Sequence, residues 1–418
     1  MRKMITALLC ACLLLMAAPP EVSAEPESDM LRLIIGTDLH YISPRLTDNG
    51  PFFMELLERG DGKVSMYSEE LTDAFLEEVV AEQPDALILT GDLSFNGALE
   101  SHQDLAAKLR AVEAAGVPVF VLTGNHDVYN LNAAHFSGDS YNRVASATTA
   151  DFRNIYEEFG FDEALSRDTD SLSYCCDIGD KTLLVMLDAN TAQYSCALAP
   201  STLDWLEKQL ISAQSQGMRV IMACHQNLLQ HSMFYYGYVI TQTDALQQLL
   251  QEYGVSLFLS GHLHMQHVME ANGVTEIATS ALCSFPCQYG ILEYADGQYH
   301  YETRSTDVSS WAQRQGRTEE NLLQFMDFAS AYFDMRTLSQ TAPLLAENDL
   351  SPAEQVAMNL YACEVNRAYF SGHMERYEAL DPDGSLRNLW ANTGSLYGYY
   401  LNSLRDDTGK NYNEWVIG

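Results

Sequence analysis

The chain is short of positive charge. Its 418 residues include 23 lysines and arginines against 57 aspartates and glutamates, a formal net charge of -34 at pH 7. This excess repels nucleic-acid backbones and anionic membrane surfaces, so we exclude a nucleic-acid polymer as a partner. The hydrophobic share of 47% with 19% charged residues indicates globular domains. A small anionic substrate would therefore need a site that is locally positive.

Long apolar runs are also rare, and the single candidate lies at the N-terminus. Two basic residues precede the apolar residues 4–18, and small residues at 22–24 offer a cleavage site. The run is shorter than the ~20 apolar residues that span a bilayer, so it predicts a signal peptide at residues 1–24. We expect a secreted protein without an integral membrane span. The cysteines at 10 and 12 make a cell-surface lipoprotein the less favoured alternative.

Several familiar catalytic patterns are missing as well. The chain has no G-x-S-x-G elbow of a serine hydrolase and no glycine-rich loop that would hold a phosphate. Seven cysteines follow the predicted signal peptide, and their odd number leaves at least one thiol free or intermolecular. Cys283 and Cys287 could close a short loop or pair with Cys196. They lack the second Cys/His pair of a structural zinc site.

Strands and helices alternate from residue 31 to about residue 304. Apolar runs that start at residues 31, 86 and 117 predict buried strands, and helical patterns at 68–83 and from Ser101 predict the crossovers between them. Such crossovers make a parallel sheet. Beyond residue 268 strand-like runs follow one another without helices, which favours a second, more antiparallel sheet. We expect an α/β fold, a two-sheet αββα sandwich.

The strand signals disappear past Thr318. Helical patterns cover 318–338 and 386–404, and Ser351 begins a capping box that opens a further helix. The sequence therefore predicts a main domain at 25–317 and a smaller α-helical C-terminal domain at 318–418. This second domain is either a separate unit or a lid on the first.

Five apolar strands end in side chains that bind metals or carry protons. These side chains are Asp38, His40, Asp92, Asn125, His126, His225, His262 and His264. Because sites in open α/β sheets form at the carboxyl ends of strands, we expect the five ends to converge. The pairs Asp38/His40 and His262/His264 are two residues apart, so an extended chain would point both members of each pair the same way.

Carboxylates, imidazoles and an amide oxygen without thiolates suit Mn, Fe or Zn. So many ligands exceed the needs of one tetrahedral ion and suit two metal ions that share a carboxylate, ~3.5–4 Å apart. A single strand-end His or Asp is more often structural or a helix cap, but five coincidences favour a metal site. Four other histidines lack this strand-end context and are assigned structural roles: His102, His135, His231 and His267. Asp188 also follows a strand, and we interpret it as a turn or sheet-end carboxylate.

The ordered segments D-x-H, G-D, G-N-H-D, H and G-H-x-H resemble the signature of the calcineurin-like metallophosphoesterases over roughly residues 31–304. The resemblance implies that 25–317 is a metallophosphoesterase domain with a dinuclear metal centre, in which His126 is not a ligand. It implies one metal on Asp38, His40 and His264, the other on Asn125, His225 and His262, and Asp92 as the bridge.

The motif GDLSFNG departs from one branch of this superfamily. Phosphoprotein phosphatases carry an Asp and an Arg where this chain has Phe95 and Asn96, which argues against protein-phosphatase activity. The same motif, the export signal, the segment 62–71 and the helical tail are similar to secreted cyclic-nucleotide phosphodiesterases of Gram-positive bacteria.

We therefore expect a secreted dinuclear-metal phosphoesterase that hydrolyses phosphodiester bonds, with 3',5'-cyclic nucleotides as candidate substrates. A water between the two ions would be acidified and attack phosphorus, while His126 would protonate the leaving oxygen. Asp127 either orients His126 or begins the next turn. We expect Tyr129, Asn130, the insertion at 129–170 and the helical tail to select the substrate.

Two other enzyme activities fit the same core, namely a nucleotidase or phosphomonoesterase and a phospholipid-headgroup esterase. A different class is a non-catalytic surface binding protein that keeps its metals for structure. The sequence favours an enzyme because a structural metal site does not need an acid such as His126 beside Asn125. The expected partner is a small phosphoester, with nucleotides among the candidates.

Overall fold

A computed structural model of the chain describes residues 30–191, 195–234 and 237–418. The predicted signal peptide at 1–24 lies outside these residues. None of the helices within them combines the length and the apolar character that crossing a bilayer requires. The seven cysteines from Cys175 onward are free thiols, so neither suggested pairing of Cys283 and Cys287 is present.

The strands of the described residues form two large sheets and one separate hairpin. In chain order they are β1 Leu31–Gly36, β2 Ala86–Leu89, β3 Val119–Val121, β4 Ala134–Ser137, β5 Ser140–Arg143, β6 Ser166–Arg167, β7 Tyr174–Asp177, β8 Thr182–Leu187, β9 Arg219–Cys224, β10 Leu257–Ser260, β11 His267–Ala271, β12 Val274–Ala278, β13 Gln288–Ala295, β14 Gln298–Ser305 and β15 Glu414–Ile417. The first sheet has the order β15-β14-β13-β1-β2-β3, the second the order β11-β12-β10-β9-β8-β7-β6, and β4 pairs with β5.

Helices cover the sheets and make up most of the C-terminal region. They are α1 Pro51–Glu58, α2 Ser68–Glu82, α3 Leu99–Ala114, α4 Thr149–Ile155, α5 Pro200–Gln216, α6 Thr243–Glu252, α7 Val308–Arg314, α8 Glu320–Leu323, α9 Phe325–Ala346, α10 Pro352–Phe370, α11 Tyr377–Leu380, α12 Ser385–Asn392 and α13 Leu396–Ser403. Helix α3 begins two residues before the predicted start at Ser101, whose hydroxyl accepts a hydrogen bond from the Ser43 N–H instead.

The predicted crossovers do make parallel strands. β1 pairs in parallel with β2, and β2 with β3, so these three strands end at the same edge of the sheet. In the second sheet β8, β9, β10 and β12 are parallel neighbours. The expectation for the strands beyond residue 268 was wrong in part, because β13 and β14 join the first sheet. There β13 lies antiparallel to β1 and covers an edge that would otherwise be unpaired.

The two sheets pack face to face, which the alternation of side chains along β8 shows. Leu184 and Met186 belong to the core that the second sheet shares with Leu33 and Ile35 of β1. The alternate residues Leu183, Val185 and Leu187 point to the opposite face and pack against α5 and α6. The parallel strands β8, β10 and β12 are buried along their whole length, as parallel strands between two layers are. The architecture is the expected αββα sandwich.

The C-terminal region is mainly helical, as the patterns predict. Ser351 caps α10 with a capping box that includes Glu354. One element was not foreseen, because β15 returns to the first sheet and pairs with β14 through Tyr299 and Ile417. Helices α9 and α10 lie beyond the predicted boundary at 317/318, and that boundary itself stays a prediction.

Tyr174 of β7, in the second sheet, is hydrogen-bonded to β3, the edge strand of the first sheet. Its hydroxyl donates to the Val121 carbonyl at 2.8 Å and accepts from the Val121 N–H at 3.1 Å, so it pairs the open edge of β3. We predict that Tyr174→Phe lowers the free energy of unfolding by about 1–3 kcal/mol, because it leaves two buried backbone groups unpaired. Urea unfolding followed by circular dichroism measures this loss. Tyr253→Phe, whose hydroxyl meets Glu207 near the surface, is the control; equal stability of both variants would contradict the prediction.

Candidate dinuclear metal centre

The predicted ligands lie just beyond the strand ends, in loops with an unusual backbone. Five of them have a positive φ, between 41° and 71°: Asp38, His40, Asp92, His262 and His264. The argument from an extended chain was therefore wrong for both i, i+2 pairs, because each member sits in a left-handed turn. Left-handed backbone at residues with a Cβ costs free energy and clusters at functional sites.

Two carboxylates tie these loops to one another. Asp38 accepts from the His262 N–H with Oδ2 at 2.9 Å, and Asp92 accepts from the His126 N–H with Oδ1 at 2.7 Å. Each bond joins loops that are far apart in the chain. The second oxygen of each carboxylate, Asp38 Oδ1 and Asp92 Oδ2, faces the imidazoles. Gly124 is required beside Asp92, because a Cβ there would lie 2.1 Å from Asp92 Oδ1.

Asp38, His40 and His264 form the first group of candidate ligands. Nε2 of His40 lies 3.3 Å from Nε2 of His264 and 3.7 Å from Asp38 Oδ1. Nε2 of His264 lies 3.2 Å from the same carboxylate oxygen. Three ligand atoms of the predicted first metal thus face a common point.

Asp92, His225 and His262 form the second group. Asp92 Oδ2 lies 3.3 Å from His225 Nε2 and 3.5 Å from His40 Nε2, so one oxygen is shared between the two groups. The Thr90 carbonyl accepts a hydrogen bond from His225 Nδ1 at 2.9 Å, which turns Nε2 toward the cluster. This placement suits the bridging role predicted for Asp92.

These distances and the buried atoms test whether cations fit. Two atoms that each lie about 2.1 Å from one ion are separated by about 3.0–3.4 Å, close to the spacings above. Asp38 Oδ1 and His225 Nε2 are buried and have no hydrogen-bond partner within the described residues. A buried polar atom without a partner is costly, and a cation would satisfy both of these atoms. The residues therefore fit a pair of cations.

Asn125 and His126 lie beside this cluster. Asn125 is exposed and lines the same cavity as Asp92 and His262. His126 donates from Nδ1 to the Phe95 carbonyl at 2.9 Å, and its Nε2 lies 3.9 Å from Asp92 Oδ2. His126 also forms a third group with His40 and Asp92. Its side chain is 34% exposed, whereas that of His40 is fully buried, so a substrate in the cavity can reach His126 but not His40.

The protonation states suit metal ligands. Burial lowers the pKa of His40 and of His262 to about 3, so both rings are neutral and carry a free lone pair. Burial disfavours the charged forms of Asp38 and Asp92 too, but the neighbouring histidines hold the pKa of both carboxyls well below the usual range. Burial also opposes the charge on His225, yet the two carboxylates raise its pKa to about 9. A cation that binds there would displace this proton.

Two other carboxylates shape the loops. Asp127 accepts from the N–H groups of Leu93, Ser94 and Gly124 at 2.8–3.1 Å, so it organises two strand-end loops and does not contact the ring nitrogens of His126. Glu276, which the sequence interpretation missed, accepts from the N–H groups of Leu228 and Leu229 and holds the loop that follows His225. An acidic residue inside the apolar strand β12 is the sequence signal that indicates such a role.

The cluster lies at the wall of a cavity of about 890 Å³. Residues of α9, α10 and α13 line its other side, among them Arg336. Lys63 also lines it; burial opposes its charge, but Asp61 at 3.1 Å raises the pKa of the ammonium group above its ordinary value. Neither cation was assigned a role from the sequence, where no local pattern marks them. The helical region thus forms a wall of the cavity, which favours the lid over the separate unit.

A sandwich whose strand ends present such a cluster defines a metal-dependent hydrolase of phosphoric esters, and the comparison with known families identifies which one. Residues 31–266, more than half of the chain, match the calcineurin-like phosphoesterase family, and the chain belongs to it. Residues 307–411 match the C-terminal domain of cyclic nucleotide phosphodiesterase. No curated protein matches the chain. Membership of the family implies divalent metal ions.

Several solved structures are similar in fold at low sequence identity. A dimetal phosphatase from Danio rerio has 13% identity over 66% of this chain and 96% of its own, with a TM-score of 0.49. Purple acid phosphatase PPD1 from yellow lupin (Lupinus luteus) seeds has 18% identity over 67% of this chain and 52% of its own, with a TM-score of 0.46. A putative 5'-nucleotidase from Staphylococcus aureus has 13% identity over 63% of this chain and 50% of its own, with a TM-score of 0.37.

The shared oxygen of Asp92 leads to a test of the bridge. Because Asp92 Oδ2 faces ligands of both groups, we predict that Asp92→Asn weakens both metal sites together, by about 10²-fold or more in affinity. Elemental analysis after dialysis against graded Mn²⁺ gives the metal content per chain. Asp168→Asn is the matched control, since Asp168 is a buried carboxylate whose hydrogen bonds to Ser171 and Thr202 involve none of the predicted ligands. Loss of a single metal in Asp92→Asn would show that Asp92 does not bridge.

Proposed function

We propose that this protein is a metal-dependent phosphodiesterase that acts outside the cell, with 3',5'-cyclic nucleotides among its substrates. The observation that carries the proposal is the meeting of two carboxylates and four imidazoles from separate strand ends at the wall of one large cavity. The phosphoesterase chemistry follows from the family, and the preference for diesters is our inference from the charges around the site.

Asp38, His40 and His264 would hold one cation, and Asn125, His225 and His262 the other, with Asp92 between them. When bound, two such cations supply positive charge to the phosphoryl oxygens and acidify a water molecule. This local charge would offset the formal net charge of -34, which otherwise repels an anionic substrate.

In this proposal His126 protonates the leaving oxygen. Because the Phe95 carbonyl can only accept, Nδ1 of His126 carries a proton, and the ring is held with Nε2 toward Asp92. A proton on Nε2 would pass to the ester oxygen as its bond to phosphorus breaks. General acid help of this kind contributes about 10²–10⁴-fold to a rate.

The charges around the site support a diester over a monoester. A monoester dianion needs more positive charge than a diester, which carries one negative charge. Lys63 is already paired with Asp61, and Asn96 takes the place of the arginine in the phosphoprotein phosphatases. The Asn96 amide donates to the Asn132 carbonyl at 3.1 Å and is engaged in the loop. A nucleotidase or phosphomonoesterase therefore remains the second candidate.

The helical wall of the cavity supports a nucleotide as one substituent of the substrate. The part of the chain that matches the C-terminal domain of cyclic nucleotide phosphodiesterase includes α9, α10 and α13. These helices add aromatic and amide side chains to the cavity, including Phe333, Phe370 and the exposed Gln340. Aromatic rings pack against a base and amides bond to its edge. A volume of about 890 Å³ is ample for such a ligand.

A hydrolysis panel with the Mn²⁺-loaded protein tests the proposal. We expect kcat/KM at least tenfold higher for bis-p-nitrophenyl phosphate and 3',5'-cyclic nucleotides than for p-nitrophenyl phosphate and 5'-mononucleotides, because Lys63 is already paired with Asp61 and Asn96 stands where the phosphoprotein phosphatases carry an arginine. A preference for the monoesters would favour the nucleotidase. Turnover of glycerophosphodiesters alone would indicate a headgroup esterase. No turnover of any ester by metal-loaded protein would indicate a binding protein.

The role of His126 gives a sharper prediction. His126→Ala should keep both metals, because His126 is not among the seven predicted ligands, while kcat falls about 10²–10⁴-fold. The loss should be larger for a cyclic nucleotide than for bis-p-nitrophenyl phosphate, since an alkoxide needs a proton more than p-nitrophenolate does. Rates and metal content per chain are measured on the same samples.

His300→Ala is the matched control for this variant, because His300 is exposed on β14 away from the cluster. We expect wild-type rates from it. Equal activity of His126→Ala and the wild type would remove His126 from the reaction. A uniform loss across good and poor leaving groups would contradict its role as the acid.

A further inference from the structure

A second cavity of about 380 Å³ adjoins the first one beside His126. The two cavities share only three lining side chains among the described residues, namely Asp61, Lys63 and His126. None of the seven predicted metal ligands lines the second cavity. Its contact with the site is therefore through the proposed proton donor and the buried ammonium group, away from the cations.

Aromatic side chains from three separate segments build this second cavity. Phe52 of α1 packs on Tyr141 of β5, with ring centres 5.1 Å apart, and on Phe136 of β4 at 6.2 Å. Phe95, from the loop after β2, meets Phe136 edge to face at 6.3 Å. The β4–β5 hairpin belongs to the insertion at 129–170, and Phe95 belongs to the motif that departs from the phosphoprotein phosphatases. Both features thus contribute to one wall.

Two amides of this wall bond to its own backbone. Asn130 donates to the His126 carbonyl at 3.0 Å and accepts from the Asn132 N–H at 2.8 Å. Asn96 donates to the Asn132 carbonyl at 3.1 Å. Two cations also line the cavity: Arg143 lies over the Tyr141 ring at 5.6 Å, and Lys63 is paired with Asp61. The other lining side chains are mostly aromatic or aliphatic, and pockets of this kind bind flat rings.

We propose that, for an acyclic diester, the second cavity receives the alcohol that leaves on cleavage, and that it favours an alcohol bearing a flat ring. A 3',5'-cyclic nucleotide releases no separate alcohol, because both of its ester oxygens belong to one ribose. This inference rests on the proposed function. In the reaction a water oxygen bonds to phosphorus and the bond from phosphorus to the leaving oxygen breaks. The leaving oxygen keeps the electron pair of that bond and takes the proton from Nε2 of His126. The attacking water releases a proton, which returns to His126 through the solvent.

Geometry assigns the two substituents of the diester to the two cavities. The phosphoryl group must lie at the metal ligands, which line the larger cavity only. The leaving oxygen must lie at Nε2 of His126, and the His126 residue lines both cavities. Its substituent therefore continues past His126 into the second cavity, next to Phe95 and Tyr141. The substituent that stays on phosphorus remains in the larger cavity beside the C-terminal helices.

Tyr141 offers a test with little risk to folding, because it is 44% exposed. The substrates are methyl p-nitrophenyl phosphate and thymidine 5'-p-nitrophenyl phosphate, which share the leaving group and differ in the group that stays. We expect Tyr141→Ala to lower kcat/KM about 2- to 10-fold for both substrates by the same factor, since it removes one aromatic contact. Tyr141→Phe keeps the ring and should match the wild type.

Two controls complete the experiment with the Mn²⁺-loaded full chain. Tyr399→Ala removes an exposed tyrosine of α13 that lines neither cavity and should leave both rates unchanged. Added p-nitrophenol should compete with both substrates in the wild type, and Tyr141→Ala should weaken that inhibition by a similar factor.

The outcomes separate this inference from the function it rests on. Cleavage of neither substrate by the wild type would overturn the proposed function and the inference with it. Cleavage by the wild type with unchanged rates in Tyr141→Ala would overturn the inference alone. A loss confined to the thymidine diester would also overturn it, because the second cavity would then hold the group that stays on phosphorus.

Discussion

The site depends on two buried carboxylates. In each of them one oxygen accepts a hydrogen bond from a backbone N–H, and the other oxygen faces the imidazoles of the cluster. Asp38 bonds the His262 N–H and Asp92 bonds the His126 N–H, so each links strand-end loops that are distant in sequence. Two such charges are stable in the interior only when they are matched by positive charge and hydrogen bonds. Imidazoles from both sheets surround them, and a pair of cations would complete that match.

The loops around these carboxylates are built to accept them. Left-handed turns at five of the candidate ligands cost free energy that the rest of the fold must offset. Asp127 and Glu276 supply part of the compensation, because they satisfy backbone N–H groups in the loops without joining the cluster. The absence of a side chain at Gly124 lets Asp92 approach that loop closely. The same residues that position the cluster therefore also hold the strand ends rigid.

Positive charge is scarce in this chain, but some of its cationic side chains line the cavities at the candidate site. Lys63 lies at the junction of both cavities, and Arg336 reaches the larger one from α9. The helical region is therefore part of the site and not an appendage to it. An acidic surface with a small positive centre favours substrates of low negative charge, which agrees with a singly charged diester.

The sequence by itself determined the alternation of strands and helices and the family. It also determined which strand ends carry Asp38, His126 or His264. The periodicity of apolar residues and the spacing of motifs are local properties of the chain, so they can be read without the fold. Only the tertiary structure decided that β13 covers β1, that Asp127 serves the backbone, and that a second cavity opens beside His126. Those features arise from hydrogen bonds and packing between segments dozens to hundreds of residues apart. Their energies depend on burial, which no local pattern of residues encodes.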